Sequence, residues 1–274
     1  MSLPKPGAGE LVIVTGAASG IGTELARGLA RRGYGLLLVD ILGDELEVVA
    51  DELRFEHGVE VETMVCDLTV NARRNELIAR AANGDRVLTG LCNNAGIMSY
   101  GPFHELPYKR ERAMVELNST AVHHLCGALL PDMVERGRGA ILNTASMAAN
   151  QPLPNAATYA ATKAFVHSFS EALHTELRGT GVSVTSLQPN ATATKLPENA
   201  GLADEAIAIP GFLWASPEAV AEAGIDGMLN GRRAVTPGIV NRLALGPAGR
   251  YLPRGIGLPA LRAAVEARRR QVTD

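Results

Sequence analysis

The sequence predicts an α/β fold: a single domain on a doubly wound parallel seven-stranded sheet, flanked by helices on both faces. Three observations carry this expectation. Short apolar runs alternate with amphipathic helical patterns along 274 residues. Each crossover is long enough to lay a helix back across the sheet. Internal repeats and low-complexity tracts, the marks of a solenoid, are absent. At 46% hydrophobic and 20% charged residues the composition is that of a globular protein, and residues 1–274 suffice for one substantial core.

Taken in order, Leu11-Val12-Ile13-Val14 opens a first strand over 11–15, and the glycine-rich turn after it starts a helix over 20–32 with Leu25 and Leu29 on its apolar face. Strands at 35–40, 59–65 and 87–93 alternate with helices at 43–57 and 70–83. One long helix is expected over 105–136, then a strand at 139–145, a helix at 158–179 and a strand at 181–188. Ser216 and Pro217 form an N-cap and first-turn pair for a helix at 217–229, and a short strand at 233–236 closes the sheet. The core is thus 10–189. Segment 190–216 breaks the rhythm with Pro197, Gly201, Pro210 and Gly211 among Phe212, Leu213 and Trp214, and reads as a lid, because apolar side chains in a loop need something to cover. Residues 217–274 carry the C-terminal helices and a basic tail.

Several function classes fall away. Cys66, Cys92 and Cys126 form no C-x-x-C pair and no even framework, which predicts a reducing, cytoplasmic setting. The N-terminus lacks an apolar signal core, and no run approaches the roughly 18 apolar residues of a transmembrane span. Residues 231–274 hold nine Arg against Glu266 and Asp274, a balance of +7 within a net charge of −3. With no nucleic-acid motif beside it, that tail reads as a solvated helix face or subunit contact around Arg262 and Arg268-Arg269-Arg270. His123-His124 point to different sides of a helix, and His167 and His174 lack the carboxylate pattern of a metal site; no metal is expected.

The chemistry lies in two places. Gly16-x3-Gly20-x-Gly22 follows a strand and opens a helix, where backbone N–H groups and the helix dipole hold a pyrophosphate. Asp40, 24 residues after Gly16 at the end of Leu36-Leu37-Leu38-Val39, is placed to accept both ribose hydroxyls of an adenosine. A 2′-phosphate there would meet like charge, and neither Ser19 nor Ile41 supplies a cation, so NAD is expected over NADP. Further on, Tyr159 and Lys163 share one face a helical turn apart. A free phenol, with pKa near ~10, is a poor base. A lysine ammonium and an oxidised nicotinamide would draw it down.

Together these motifs resemble the short-chain dehydrogenase/reductase family over about residues 10–190. Thr15-Gly16-x3-Gly20-Ile21-Gly22 is similar to that family's glycine turn, Cys66-Asp67-Leu68 to its adenine-contacting pair, and Asn93-Asn94-Ala95-Gly96 to its N-N-A-G motif beneath the cofactor. Asn118, Ser146, Tyr159 and Lys163 align with its catalytic set, including the thirteen-residue step from Ser146 to Tyr159. The resemblance implies a Rossmann fold with cofactor contacts from Gly16, Ser19, Gly20, Ile21 and Gly22, from Asp40 and Ile41, and from Cys66, Asp67 and Leu68. It extends them to Asn94, Ala95 and Gly96, to Tyr159 and Lys163, and to Pro189, Asn190, Thr192 and Thr194. It also implies that Tyr159 is the general base or acid, that Lys163 holds the nicotinamide ribose, that Ser146 donates to the substrate oxygen and that Asn118 holds a water of the proton path. A homodimer or homotetramer on helices 105–136 and 158–179 is implied as well. One departure stands out: Asn190 occupies the place of the family's Gly, a position where tolerance of positive φ would matter.

The expected activity is therefore hydride transfer between NAD and a secondary alcohol or ketone. The walls, Ile97-Met98-Ser99-Tyr100, Met147 to Leu153 and the lid, hold Lys195 as their only lysine, which favours a bulky, mostly apolar small-molecule substrate over an anionic one. Two alternatives differ in kind: a non-catalytic NAD(H) sensor, for which a base aimed at substrate has no use, and an NAD-retaining epimerase or dehydratase of nucleotide sugars, whose chains are longer and whose glycine turn is spaced differently.

Overall fold

A computed structural model of the chain describes residues 3–7, 9–190, 192 and 214–238. The chain runs β1 (Glu10–Thr15), α1 (Gly20–Arg31), β2 (Gly35–Asp40), α2 (Gly43–His57), β3 (Val61–Val65), α3 (Asn71–Asn83), β4 (Val87–Asn93), α4 (Tyr108–Val115), a π turn (Glu116–Ala121) and α5 (Val122–Glu135). It continues through β5 (Gly139–Thr144), α6 (Ala157–Glu176), β6 (Val182–Leu187), α7 (Pro217–Leu229) and β7 (Ala234–Val235). All seven strands are parallel, in the order β3-β2-β1-β4-β5-β6-β7. The chain reverses direction across the sheet between β1 and β4, and the crevice at their carboxyl ends is where ligands bind in such sheets.

The double winding follows from the period of two along buried strands. In β1, Val12 and Val14 pack with Leu25 and Leu29 of α1, Leu46 and Leu53 of α2 and Ile225 of α7. Leu11 and Ile13 face the other way, with Leu77 of α3, Leu125 and Met133 of α5 and Val166 of α6. Tight glycines let the layers close: a Cβ on Gly28 would stand 2.5 Å from Ile225 Cδ1, so α1 meets α7 at near-backbone distance.

The helix expected over 105–136 is in fact three pieces. The π turn at Glu116–Ala121 accommodates one extra residue between α4 and α5, so the apolar period survives while the hydrogen-bond register slips. The Ser216 cap is made as expected, its Oγ accepting from Ala219 N–H at 3.1 Å. Most of the expected lid, including Pro197, Gly201, Pro210 and Gly211, lies outside the described residues, as does the basic tail beyond residue 238. The two ends of that segment meet: Thr192 and Ala215 form a parallel bridge. Among the described residues no helix is long and apolar enough to cross a membrane, and no three His, Cys, Asp or Glu side chains cluster as metal ligands.

Candidate active site

At the end of β1 the backbone turns through Gly16 (φ 67°) and Gly20 (φ 59°), both in the left-handed region open to glycine. Close packing makes the other glycines necessary. A Cβ on Gly22 would stand 1.8 Å from Gly16 O, and one on Gly16 would stand 2.8 Å from Ala95 Cα. The Thr15 hydroxyl accepts from Asn94 N–H (3.0 Å) and Ala95 N–H (3.1 Å), and the Asn94 amide donates to Thr15 O (3.2 Å), so the 94–96 loop is strapped to the glycine turn. Ser19, exposed and extended at the N-cap of α1, makes no side-chain cap; Ile21 is half-buried beside it. The first N–H groups of α1 thus keep no side-chain partner at the positive end of the dipole.

Asp40 ends β2 with its carboxylate bound to main chain only. Oδ2 accepts from Ala18 N–H at 3.0 Å, and Oδ1 accepts from Ile41 at 2.7 Å and Leu42 at 3.1 Å. The N-cap of α2 is Leu42, so Asp40 is not its capping residue. Ile41 is exposed, and no ion pair to Asp40 occurs among the described residues. Cys66 N–H donates to Asp40 O at 2.8 Å, which sets the Cys66-Asp67-Leu68 loop beside it. The Cys66 thiol is buried, pushed up by that burial, and lies against Arg73 O; Asp67 accepts from the N–H and hydroxyl of Thr69, and Leu68 is buried. Asp67 and the main chain of this loop therefore border the crevice, while the Cys66 and Leu68 side chains pack away from it.

The four candidate catalytic residues converge from three elements. Ser146, just past β5, faces Tyr159, where its hydroxyl pulls the phenol pKa down, and it caps a short turn by accepting from Ala148 N–H at 3.1 Å. Lys163 Nζ donates to Thr144 O at 2.8 Å and stands 5.9 Å from the Tyr159 ring centre. Burial drives the Lys163 ammonium down to about 8 from its ordinary 10.5. The sequence points to a phenol lowered by Lys163 and an oxidised nicotinamide; burial works against that, holding Tyr159 above its ordinary value while Ser146 pulls it down.

Asn118 sits in the π turn with its amide already engaged. Its Oδ1 accepts from Ile97 N–H at 3.0 Å, and its Nδ2 donates to Ile97 O at 2.9 Å and to the Thr162 hydroxyl at 3.2 Å. The side chain expected to hold a water thus pins the loop after β4. Gly96 makes this possible: a Cβ there would come within 3.2 Å of Asn118 Oδ1 and 3.4 Å of Lys163 Nζ. Pro189 O accepts from Met147 N–H at 2.9 Å, and Thr192 donates to Asn190 O. Asn155 (φ 66°) is the one non-glycine at positive φ among the described residues, so Asn190 replaces the family's Gly without needing the left-handed region. Thr194 lies outside the described residues.

Sequence reasoning missed a buried layer behind these groups. Asn93 donates to Asn143 (2.9 Å), and Asn143 donates to Ser170 of α6 (2.9 Å), linking β4, β5 and α6 beneath Lys163. It also missed Arg74, buried under the 66–68 loop. Asn93 at least belonged to a recognised motif; Asn143, Ser170 and Arg74 gave no signal, since only packing brings them together.

Residues 10–205 match the family described as short chain dehydrogenase. A very-long-chain 3-oxoacyl-CoA reductase of Anas platyrhynchos is 34% identical over 237 residues, 82% of this chain and 72% of its own length. That of Macaca fascicularis is 36% identical over 195 residues but only 62% of its length is spanned. Among solved structures, a short-chain dehydrogenase from Sphingobium yanoikuyae in complex with NADPH superposes with a TM-score of 0.76 at 31% identity, covering 94% of this chain and 95% of that one. A bulky-bulky ketone specific alcohol dehydrogenase from Comamonas testosteroni gives 0.74 at 26% identity, covering 94% of each. The crevice, its glycine turn and the match over 10–205 lead to one conclusion: the chain belongs to the short-chain dehydrogenase family.

Proposed function

We propose that this protein is an NAD-dependent oxidoreductase that interconverts a bulky, mostly apolar secondary alcohol and its ketone. The observation that carries this reading is the meeting of Tyr159, Ser146 and Lys163 beside the glycine turn, with Asn118 bracing the loop between them. A dinucleotide suits the residues present: an uncapped helix end for its pyrophosphate, glycines where any Cβ would clash, and Asp40 for its adenosine ribose. Gly16, Ser19, Gly20, Ile21 and Gly22 would hold the phosphates, Asp40, Ile41 and the 66–68 loop the adenosine, and Asn94, Ala95, Gly96 and the 189–194 segment the nicotinamide end. When bound, the cofactor supplies the hydride acceptor or donor.

The protein's part is the proton. Tyr159 takes it from the alcohol during oxidation and returns it to the ketone oxygen in reduction. Ser146, whose hydroxyl favours the ionised phenol, donates to the substrate oxygen as charge develops. Lys163, still largely cationic at pH 7 because its pKa is about 8, favours the phenolate over the phenol. Burial that raises Tyr159 is then an advantage in the reducing direction, where the group must arrive protonated.

Asp40 supports NAD, although the Sphingobium relative is an NADPH complex, because no cation neighbours its carboxylate among the described residues. The ketone-specific relative supports a bulky ketone, and the very-long-chain acyl relatives support an apolar chain next to the reacting carbonyl, on a carrier, CoA, that itself bears phosphates. A shallow depression of about 870 Å³ over α4 and α6, lined by Phe103, Val115, His123, Ala161 and Phe165, supports a homodimer through this face. Phe165→Glu is expected to shift the sedimentation profile towards monomer. Initial rates with NAD and NADP over a panel of secondary alcohols and ketones test the main proposal: NAD is expected to give at least tenfold higher kcat/KM with apolar substrates. Equal or better kcat/KM with NADP overturns the cofactor choice, and a binding-competent protein with no turnover on any alcohol or ketone favours the sensor.

A further inference from the structure

Arg74, on α3, is 4% exposed, and a cation at that depth persists only when its donors are matched. Its partners come from four places. NH1 donates to Leu68 O at 2.7 Å in the loop beside Asp40, and lies 3.5 Å from Glu116 Oε2, the first residue of the π turn. NH2 donates to Asn71 Oδ1 at 3.3 Å. Nε donates to Nδ1 of His124 on α5 at 3.2 Å. One side chain thus spans the space between the loop assigned to adenine and the helical segment that carries Asn118.

We propose that Arg74 is a positioning residue for the adenosine end of the cofactor, and that its bond to His124 makes this positioning depend on protonation. The inference rests on the dinucleotide reading above. A guanidinium only donates, so Nδ1 of His124 must present a lone pair and the ring must be the neutral Nε2–H form. A proton on Nδ1 removes that acceptor and sets a second positive charge against a buried one. Either Arg74 or His124 then moves, and Leu68 O loses its shortest tie.

The charged groups around the pair define what else can respond. From the π turn comes Glu116, which partly offsets a second cation. From α3, Arg73 and Glu76 pair with each other at 2.7 Å; in the loop, Asp67 is held by Thr69. His123, next along α5, is directed elsewhere, its ring 5.4 Å from that of Phe169. Cys126 of the same helix stays a thiol, pushed up to about 12 by burial. His124 is the imidazole in this set whose ring nitrogen accepts from Arg74, and pH 7.5 to 5.5 is the window in which imidazoles as a class change charge.

The experiment is calorimetric titration of the whole protein with NAD from pH 7.5 to 5.5, where its pyrophosphate and adenine keep their charge, and with NADP, whose 2′-phosphate titrates near ~6, at pH 7.5 only. For wild type, Kd is expected to rise about tenfold on acidification. His124→Asn keeps an acceptor, Oδ1, near the place of Nδ1 but cannot titrate, so its Kd is expected to change less than about twofold; His123→Asn is expected to follow wild type. Arg74→Met is expected to bind about tenfold more weakly at pH 7.5 with no further loss on acidification. Parallel pH slopes for wild type and His124→Asn overturn the inference, and so does Arg74→Met binding like wild type. The slope comparison stands by itself should Arg74→Met not fold. Folded wild-type protein that binds neither dinucleotide overturns the proposed function as well, which separates the two failures.

Discussion

Around the glycine turn and Asp40, recognition rests on main-chain N–H groups, missing side chains and one carboxylate at the surface. Around Tyr159 and Lys163, the proposed chemistry rests on polar side chains at the carboxyl ends of the strands, Lys163 buried and Tyr159 half-buried. The first arrangement costs the fold little, because main-chain donors at a helix end are unsatisfied in any case. The second keeps an ammonium where burial resists charge, and stability is given up to hold it. On the proposed reading, binding and chemistry are thus separable, one resting on backbone geometry and the other on polar side chains.

The sharpest way to break this division is Tyr159→Phe. It is expected to lower kcat by about a thousandfold, the scale of general acid–base catalysis, with NAD affinity unchanged within about twofold in the same titrations. A comparable loss of affinity would erase the distinction. The reverse perturbation is Gly22→Ala. Its Cβ would be driven to 1.8 Å from Gly16 O, within rigid main chain, so the turn must open. A loss of about 3 kcal/mol in denaturant unfolding and about a hundredfold weaker NAD binding are expected. Turnover at saturating cofactor should fall much less.

Lys163→Met sharpens the comparison from the stability side. Because the folded pKa of about 8 is below the ordinary 10.5, the folded chain carries a penalty for the charged form that is complete below pH 8. That penalty fades as pH rises from 8 to 10.5, where the unfolded lysine also loses its proton. The shift corresponds to about 3 kcal/mol, less about 1 for leaving Thr144 O unpaired, so the variant should be about 2 kcal/mol more stable at pH 7 while nearly inactive. The gain should shrink towards pH 10; a variant less stable than wild type at pH 7 would show that the ammonium earns its place structurally.

Much of this was legible in the sequence because it is periodic or local. The strands are short continuous apolar runs, as sheets covered on both faces require, and Ser216-Pro217 announced the start of α7 at the residue where it begins. The π turn was not legible, since an inserted residue within 105–136 leaves the apolar pattern nearly intact. Arg74 reads in sequence like its neighbour Arg73, yet one is buried among four partners and the other is exposed beside Glu76. The burial that opposes a lowered Tyr159 was not legible for a related reason. Neighbouring charge can be read from spacing, whereas depth below the surface comes only from the assembled layers.

The bridge between Thr192 and Ala215 has a practical consequence. By clasping both ends of the intervening stretch to the frame, it makes that stretch an exchangeable cassette. Doubling its length would add only about 0.6 kcal/mol of closure entropy. Inserts grafted between these two anchor points should therefore leave the thermal stability of the frame nearly unchanged, which unfolding of such variants would measure.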